Sequence, residues 1–299
     1  MSHPAELPFA FAVNQYTTLP WSFEQDVRRY AESGVEAMEL CQDKLDSDSA
    51  RATAQVEGAV DAGLTICSVQ PSVRTVVPSV SQPHPTDPRE RLAAFRSCVE
   101  QIAPYAPGAV FVTNTGLAPQ GNVAEAIRRT VRAHRELADV AAAHGVRIAL
   151  EPLNPVSLNQ ETAIWTVQQA LSIVEEVGQE EVGLCFDTWN VWQNPDLLDA
   201  IAQARERIFL LQVSDWRTPR SGADRRTVGT GLIPTGRLLH ALYENGYRGP
   251  CVLEIFSQGV PDSLYDTDLD ELLRVNRAAL GRAWRADCPG WTGPMAEAD

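Results

Sequence analysis

Short apolar runs of four to six residues recur along the chain. Each is followed by a longer stretch in which apolar positions return with helical spacing. The apolar runs fall at 9–14, 36–40, 64–69, 109–113, 147–151, 182–187, 208–212 and 250–255. They are continuous rather than alternating, as expected of parallel strands covered on both faces. The helical stretches between them are predicted at 22–34, 47–63, 90–103, 123–144, 161–177, 196–205, 236–245 and 269–284. Ser22, with Glu24 and Gln25 in the first turn, marks the first helix start. Gly34, Gly145, Gly178 and Gly246 stand where helix ends are expected. A Pro- and Ser-rich loop from 71 to 88 interrupts the rhythm after the third strand. Eight strand–helix units in about 285 residues predict one (β/α)8 TIM barrel over 1–285, with 286–299 as a tail suited to a surface strap or an oligomer contact. The first strand is followed by no Gly-x-Gly-x-x-Gly, so a dinucleotide-binding sheet is not expected.

Four consecutive strands end on a side chain that can donate oxygen to a metal: Glu151, Asp187, Gln212 and Glu254. In a barrel of this kind the strand C-termini form the active face. A carboxylate at the end of an apolar strand is costly to desolvate unless it is paired or metal-bound. One such residue is readily explained by an ion pair with arginine; four in succession predict convergence on one divalent cation. Three carboxylates and an amide oxygen favour a hard ion, Mn²⁺ or Mg²⁺, over Zn²⁺. The histidines do not compete for that role. His134, His144 and His240 lie on predicted helices, and His84 alone sits in a loop able to fold over the strand ends.

Composition narrows the function. A formal charge of −14 over 299 residues argues against nucleic acid or an anionic membrane as partner. No apolar run approaches the roughly 18 residues of a membrane span, and the first residues lack a signal-peptide pattern, so a cytoplasmic protein is expected. The six cysteines are scattered, with no Cys-x-x-Cys pair, which suits a reducing compartment and not a thiolate zinc site. Lys44 is the single lysine among 25 basic residues, leaving little room for Schiff-base chemistry.

Leu150-Glu151-Pro152, Cys185-Phe-Asp187-Thr188, Gln212-Val-Ser-Asp215, Gly229-Thr-Gly231 and Leu253-Glu254 resemble the xylose-isomerase-like sugar isomerase/epimerase superfamily. The resemblance spans nearly the whole chain. It implies that Glu151, Asp187, Gln212 and Glu254 bind the metal and that Glu151 and Glu254 serve as the acid/base pair. Two positions depart from the pattern. Gln212 stands where histidine is usual and is similar to the 3-dehydroshikimate dehydratases, a lyase branch. Asn190 stands where a second histidine is usual. The endonuclease branch is not expected, because its several zinc-binding histidines have no counterparts.

Around this set, Asn14, Gln15, Glu39, Gln70 and Asn114 lie at or just past the first four strands. They either contact substrate hydroxyls or satisfy loop backbone. Asn190, Asp215 and Trp189 are further candidate substrate contacts, with Trp189 and Trp192 open to a core role instead. The basic loop 217–231 offers Arg225 and Arg226 as a clamp on a carboxylate, phosphate or hydroxyl group. The expected activity is metal-dependent isomerisation or epimerisation of a small polyhydroxylated carbonyl compound, a ketose or keto-cyclitol, through an enediolate. A dehydratase is the alternative, and a non-catalytic binding barrel, with a homo-oligomer possible in any case, is the alternative of another class.

Overall fold

The computed structural model describes residues 6–286. Eight parallel strands close into a barrel in sequence order. They are β1 (Phe11–Asn14), β2 (Ala37–Cys41), β3 (Thr65–Gln70), β4 (Val110–Thr113), β5 (Arg147–Leu150), β6 (Val182–Asp187), β7 (Ile208–Val213) and β8 (Cys251–Leu253). The helices are α1 (Phe23–Ser33), α2 (Ser49–Asp61), α3 (Pro88–Ile102), α4 (Val123–His144), α5 (Val167–Val177), α6 (Thr188–Val191), α7 (Leu197–Ala204), α8 (Thr235–Glu244) and α9 (Leu269–Ala286). Pairing of β8 with β1 leaves no open edge, so every strand has two hydrogen-bonded neighbours. Among the described residues, no helix is long and apolar enough to cross a membrane. The predicted tail lies, beyond Ala286, outside the described residues.

Two cores follow from the period of two along each strand. Outward side chains such as Val13, Leu40, Phe111, Ile148, Phe186, Leu211 and Leu253 pack against the helix ring. Inward side chains form a separate, narrower core of Ala12, Ala37, Val110, Val112, Ala149, Cys185, Phe209, Leu210 and Val252. Each fully buried leucine or isoleucine contributes about 1.5–3 kcal/mol through the area it removes from water. Truncating Leu211 to alanine therefore removes about 2–5 kcal/mol once the cavity is included.

The helix starts and stops obey local chemistry. Ser22 accepts from the Gln25 backbone N–H while the Gln25 side chain accepts from the Ser22 N–H, closing a capping box. Gly34 ends α1 at φ 69°, a left-handed conformation that glycine adopts without strain. One predicted helix is shorter than expected: α5 begins at Val167, not near 161. Thr166 forms a capping box with Gln169, and Pro152 and Pro155 upstream hold the chain in an irregular loop with one 3₁₀ turn. The extra helix α6 follows β6 directly, capped by the Asp187 side chain, which accepts from the Trp189 N–H at 3.0 Å.

The long loop after β3 folds over the strand ends as a continuation of the sheet. Asn114 N–H donates to Arg74 O at 2.9 Å, and Val76 N–H to Asn114 O at 2.9 Å. Arg91 of α3 anchors it from behind, donating to the carbonyls of Thr75 at 2.6 Å and Pro85 at 2.8 Å.

Candidate active site

The alternation that builds the inner core also aims the site. Two residues beyond Ala12, Ala37, Val112, Ala149, Cys185, Leu210 and Val252 along their strands stand Asn14, Glu39, Asn114, Glu151, Asp187, Gln212 and Glu254. The inward face thus turns from small apolar residues to carboxylates and amides at the strand C-termini. Glu151 is 5% exposed, Glu254 3%, and Asp187, Gln212 and Glu39 are wholly buried.

Glu151, Asp187 and Glu254 each bring a carboxylate oxygen within 4.8 Å of the other two. A single guanidinium stands among them. Arg225 pairs with Asp187 Oδ2 at 2.8 Å and Glu254 Oε2 at 2.7 Å. Its flat group lies 5.0 Å from the Trp189 ring centroid and 4.9 Å from that of Phe256, a stacking that lysine does not reproduce. Amides link the remaining oxygens. Asn190 Nδ2 donates to Glu151 and Asp187, at 2.7 Å each. Asn114 donates to Glu151 at 3.0 Å, and Asn14 bridges Glu39 and Glu254 at 2.8 and 2.9 Å.

Gln212 points into this cluster nitrogen first. Its Nε2 donates to Glu39 at 2.8 Å and to Glu254 at 3.1 Å, while its Oε1 accepts from the Cys185 thiol at 3.0 Å. A half-turn about its last torsion exchanges the two ends and brings the oxygen to the carboxylates.

Burial raises the pKa of all four carboxylates above the ordinary range. Burial pushes Glu151 up to about 7, and the charge of Asp187 adds to it. Burial also lifts Glu254 well above the usual value, against the pull of Arg225. Glu39 and Asp187 shift the same way for the same leading cause. Buried acids with too few cations are the condition a bound dication relieves, and carboxylate oxygens at this spacing suit a hard ion. Glu151, Asp187 and Glu254 fit that role as they stand; Gln212 fits it after the amide turns.

A cavity of about 280 Å³ opens above the cluster, lined in part by Gln70, Asn114, Glu151, Trp189, Asn190, Arg225 and Glu254. That volume suits a small molecule. A larger groove of about 850 Å³ between α3 and α4 holds none of these residues.

Three expected substrate contacts lie elsewhere. Gln15 is engaged on both ends, donating to Asp26 at 2.9 Å and accepting from the Cys41 N–H at 2.9 Å. Asp215 accepts from the backbone N–H groups of Trp216, Gly229, Gly231 and Ile233 at 2.8–3.0 Å, so it shapes the loop. A side chain at Gly231 would run into Trp216 O and sit 2.5 Å from Asp215 Oδ1, and Gly229 takes φ 79°, so each glycine of Gly-Thr-Gly has its own reason. Arg226 pairs with Asp262 at 3.3 Å, outside the cavity. Glu39 lies beneath the cavity, bonded to Asn14, Gln70 and Gln212. Trp192 packs against Trp216 with ring centroids 4.9 Å apart.

His84 is exposed and does not line the cavity. His134 and His240 are core residues. Lys44 is tied to Asp26 at 2.6 Å, away from the cavity. Arg74 and Phe256 line the cavity without having been singled out in the sequence. Arg74 lies in the Pro/Ser loop, which the pairing with Asn114 and the bonds from Arg91 bring over the cavity.

A model of the xylose isomerase-like TIM barrel family matches residues 27–275. An inosose isomerase of Bacillus velezensis is 28% identical over 175 residues, 56% of this chain and 60% of that protein. A ketose 3-epimerase of Arthrobacter globiformis is 28% identical over 142 residues, 47% of this chain and 44% of that one. The chain therefore spans less than two thirds of the length of either relative. The solved structure of the IOLI protein with a binding zinc atom has TM-score 0.75 at 21% identity, covering 92% of this chain and 98% of that one, a likeness of fold. Taken with the closed eight-stranded barrel, the match over 27–275 shows that this chain belongs to the xylose isomerase-like TIM barrel family.

Proposed function

We propose that the protein is a divalent-metal-dependent isomerase or epimerase of a small polyhydroxylated carbonyl compound. The observation that carries this reading is the buried trio of Glu151, Asp187 and Glu254 at the floor of a small cavity, whose charge the paired Arg225 guanidinium offsets only in part. A divalent cation held by these residues, with Gln212 as fourth donor, supplies Lewis acidity that makes the carbon next to a carbonyl more acidic. Mn²⁺ or Mg²⁺ suits the all-oxygen set.

Glu151 and Glu254 do the proton work in this scheme. One, as carboxylate, takes the proton from the carbon beside the carbonyl, and the electron pair moves onto the carbonyl oxygen to give an enediolate. The other, as carboxylic acid, returns a proton to the opposite face of that carbon, or to its neighbour. The first outcome is an epimer; the second is an isomer once the hydroxyl proton on the first carbon passes to the former carbonyl oxygen. A carboxyl group whose pKa burial raises can act as base and as acid nearer neutral pH than an exposed one. Asn190 and Asn114 hold the Glu151 carboxylate in place, and Arg225 holds that of Glu254.

Gln212 supports a second reading. A neutral amide at the third position is similar to that of the dehydratase branch, and the same enediolate gives an α,β-unsaturated carbonyl if its electron pair expels a β-hydroxyl, which leaves as water with the proton of the second glutamic acid. One experiment separates the two: incubation of the metal-loaded protein with a panel of ketoses in D₂O. Deuterium incorporation without loss of water is the expected result. Loss of water favours the lyase, and neither outcome on any substrate removes both.

A further inference from the structure

We propose that Arg74 forms a subsite for an anionic group, a carboxylate or a phosphate, on the substrate, so that the natural substrate is a sugar acid or a sugar phosphate and not a neutral ketose. The inference rests on the isomerase reading only for the polyhydroxylated part of that substrate.

Arg74 lines the same cavity as Glu151 and Arg225 and is partly buried. Its guanidinium makes one long hydrogen bond, to Pro71 O at 3.5 Å, and no ion pair among the described residues. The neighbouring arginines are all engaged. Arg225 is paired with Asp187 and Glu254, Arg217 and Arg220 with Asp224 and Asp262, and Arg91 is bonded to loop carbonyls. The amides that line the cavity are committed too. Asn114 and Asn190 donate to Glu151, and Gln70 donates to Glu39 at 3.2 Å. Glu161, another carboxylate lining the cavity, accepts from the Ser81 N–H at 2.9 Å. The planar fork of Arg74 is therefore the strong donor in this cavity with its N–H groups left for a ligand, and it matches an acceptor with two oxygens.

Glu39, Glu151, Glu161, Asp187 and Glu254 against Arg74 and Arg225 leave a formal −3 when the acids are ionised. A dication reduces this to −1, so an anion is held through its direct pairing with the Arg74 guanidinium. Arg74 is also held in place independently of its side chain. Its N–H donates to Gln82 Oε1 at 3.1 Å and its carbonyl accepts from Asn114 at 2.9 Å.

The test is a binding measurement on the full chain loaded with Mn²⁺, by calorimetry. The probes share one carbon skeleton: a hexitol, the corresponding aldonate and the hexitol phosphate. At least one anion should bind about 10-fold or more tighter than the hexitol, and which one does so distinguishes carboxylate from phosphate. Arg74→Gln should lower that anion-to-neutral ratio by about 10- to 100-fold, as loss of a charge-assisted pair implies. Arg74→Lys, which keeps the charge and loses the fork, should fall between. Equal binding of neutral and anionic probes, or a ratio unchanged in Arg74→Gln, overturns the proposal. Deuterium exchange on neutral ketoses with an unchanged ratio overturns it while leaving the isomerase reading intact. A ratio that collapses in Arg74→Gln, with no exchange on any neutral ketose, keto sugar acid or ketose phosphate, keeps the subsite and removes the isomerase.

Discussion

Replacing Arg225 by methionine tests whether the acid cluster is built around a cation. Methionine keeps an unbranched, polarisable stem but is shorter, so it removes the charge and the guanidinium stacking on the Trp189 and Phe256 rings. In the wild type, two short ion pairs at 2.8 and 2.7 Å hold Asp187 and Glu254, whose side chains are 0% and 3% exposed. Removing one partner of a buried pair costs about 3–5 kcal/mol, because the other charge is left uncompensated. For a chain of this size that lowers Tm on the order of 10 °C. The loss should appear in full in the presence of a chelator. With saturating Mn²⁺ it should shrink to the contribution of stacking, because the cation takes over the charge that Arg225 balanced. A ligand at 100 times its Kd adds about 2.7 kcal/mol to either protein. The variant should also bind Mn²⁺ more tightly, with no guanidinium to repel the ion. Thermal unfolding of both proteins, with chelator and with Mn²⁺, makes the comparison. If Arg225→Met loses as much with Mn²⁺ as without it, or if Mn²⁺ stabilises neither protein, the carboxylates do not share a cation.

Glu151→Gln and Glu254→Gln, each confirmed to hold metal, should lose turnover per bound ion by about 10²–10⁴-fold, the usual cost of a missing general base or acid; near-wild-type values place proton transfer elsewhere. Gln212→His exchanges an amide oxygen for an imidazole nitrogen and should move metal preference toward Zn²⁺ or Co²⁺, read by competitive metal loading. An unchanged metal order would show that Gln212 is not a ligand. His134, buried between Thr113 Oγ1 at 2.7 Å and Thr130 O at 2.8 Å, has its pKa pushed down by burial from 6.5 to about 4. The unfolded chain then takes up the proton first as pH falls, so stability is present above 6.5 and is lost between 6.5 and about 4, by about 3 kcal/mol in all. Urea unfolding of His134→Gln should show a flatter acid limb than the wild type, and equal slopes would count against that account.

The barrel was legible because its signal repeats. Continuous runs such as Val182–Asp187 are long enough for a strand and too short for a helix, and eight of them in order leave few topologies. Helix starts were less legible where proline or side-chain bonding competes. Glu161 looked like a first-turn residue, yet it bonds to Ser81 eighty positions away in another loop. The start was set by Thr166 and Gln169, whose reciprocal bonds needed no tertiary partner. Asp187 showed the opposite limit. Its capping of α6 is local, but a four-residue helix carries too little periodicity to be read.

Side-chain direction explains which candidate site residues were readable. On a strand the period of two leaves two choices, and the inner core decides between them. Ala149 and Cys185 face inward, so Glu151 and Asp187 must as well. Past the strand ends that rule lapses. Gln15 and Asp215 each follow an inward residue by one or three positions; the Gln15 oxygen goes to the N–H at the end of β2, and those of Asp215 go to N–H groups of the loop that follows it. Polar residue type could not separate them from Asn14 or Asn114, because satisfying a buried N–H and binding a hydroxyl use the same atoms. Arg74 escaped notice for the complementary reason. Nothing beside it in sequence suggests a pocket, and its place depends on Arg91 pulling the loop down and Asn114 extending the sheet toward it. Charge resolves what pattern leaves open. An arginine that pairs with carboxylates is accounted for by the fold, whereas one left without them in a cavity has donors for something the chain does not supply.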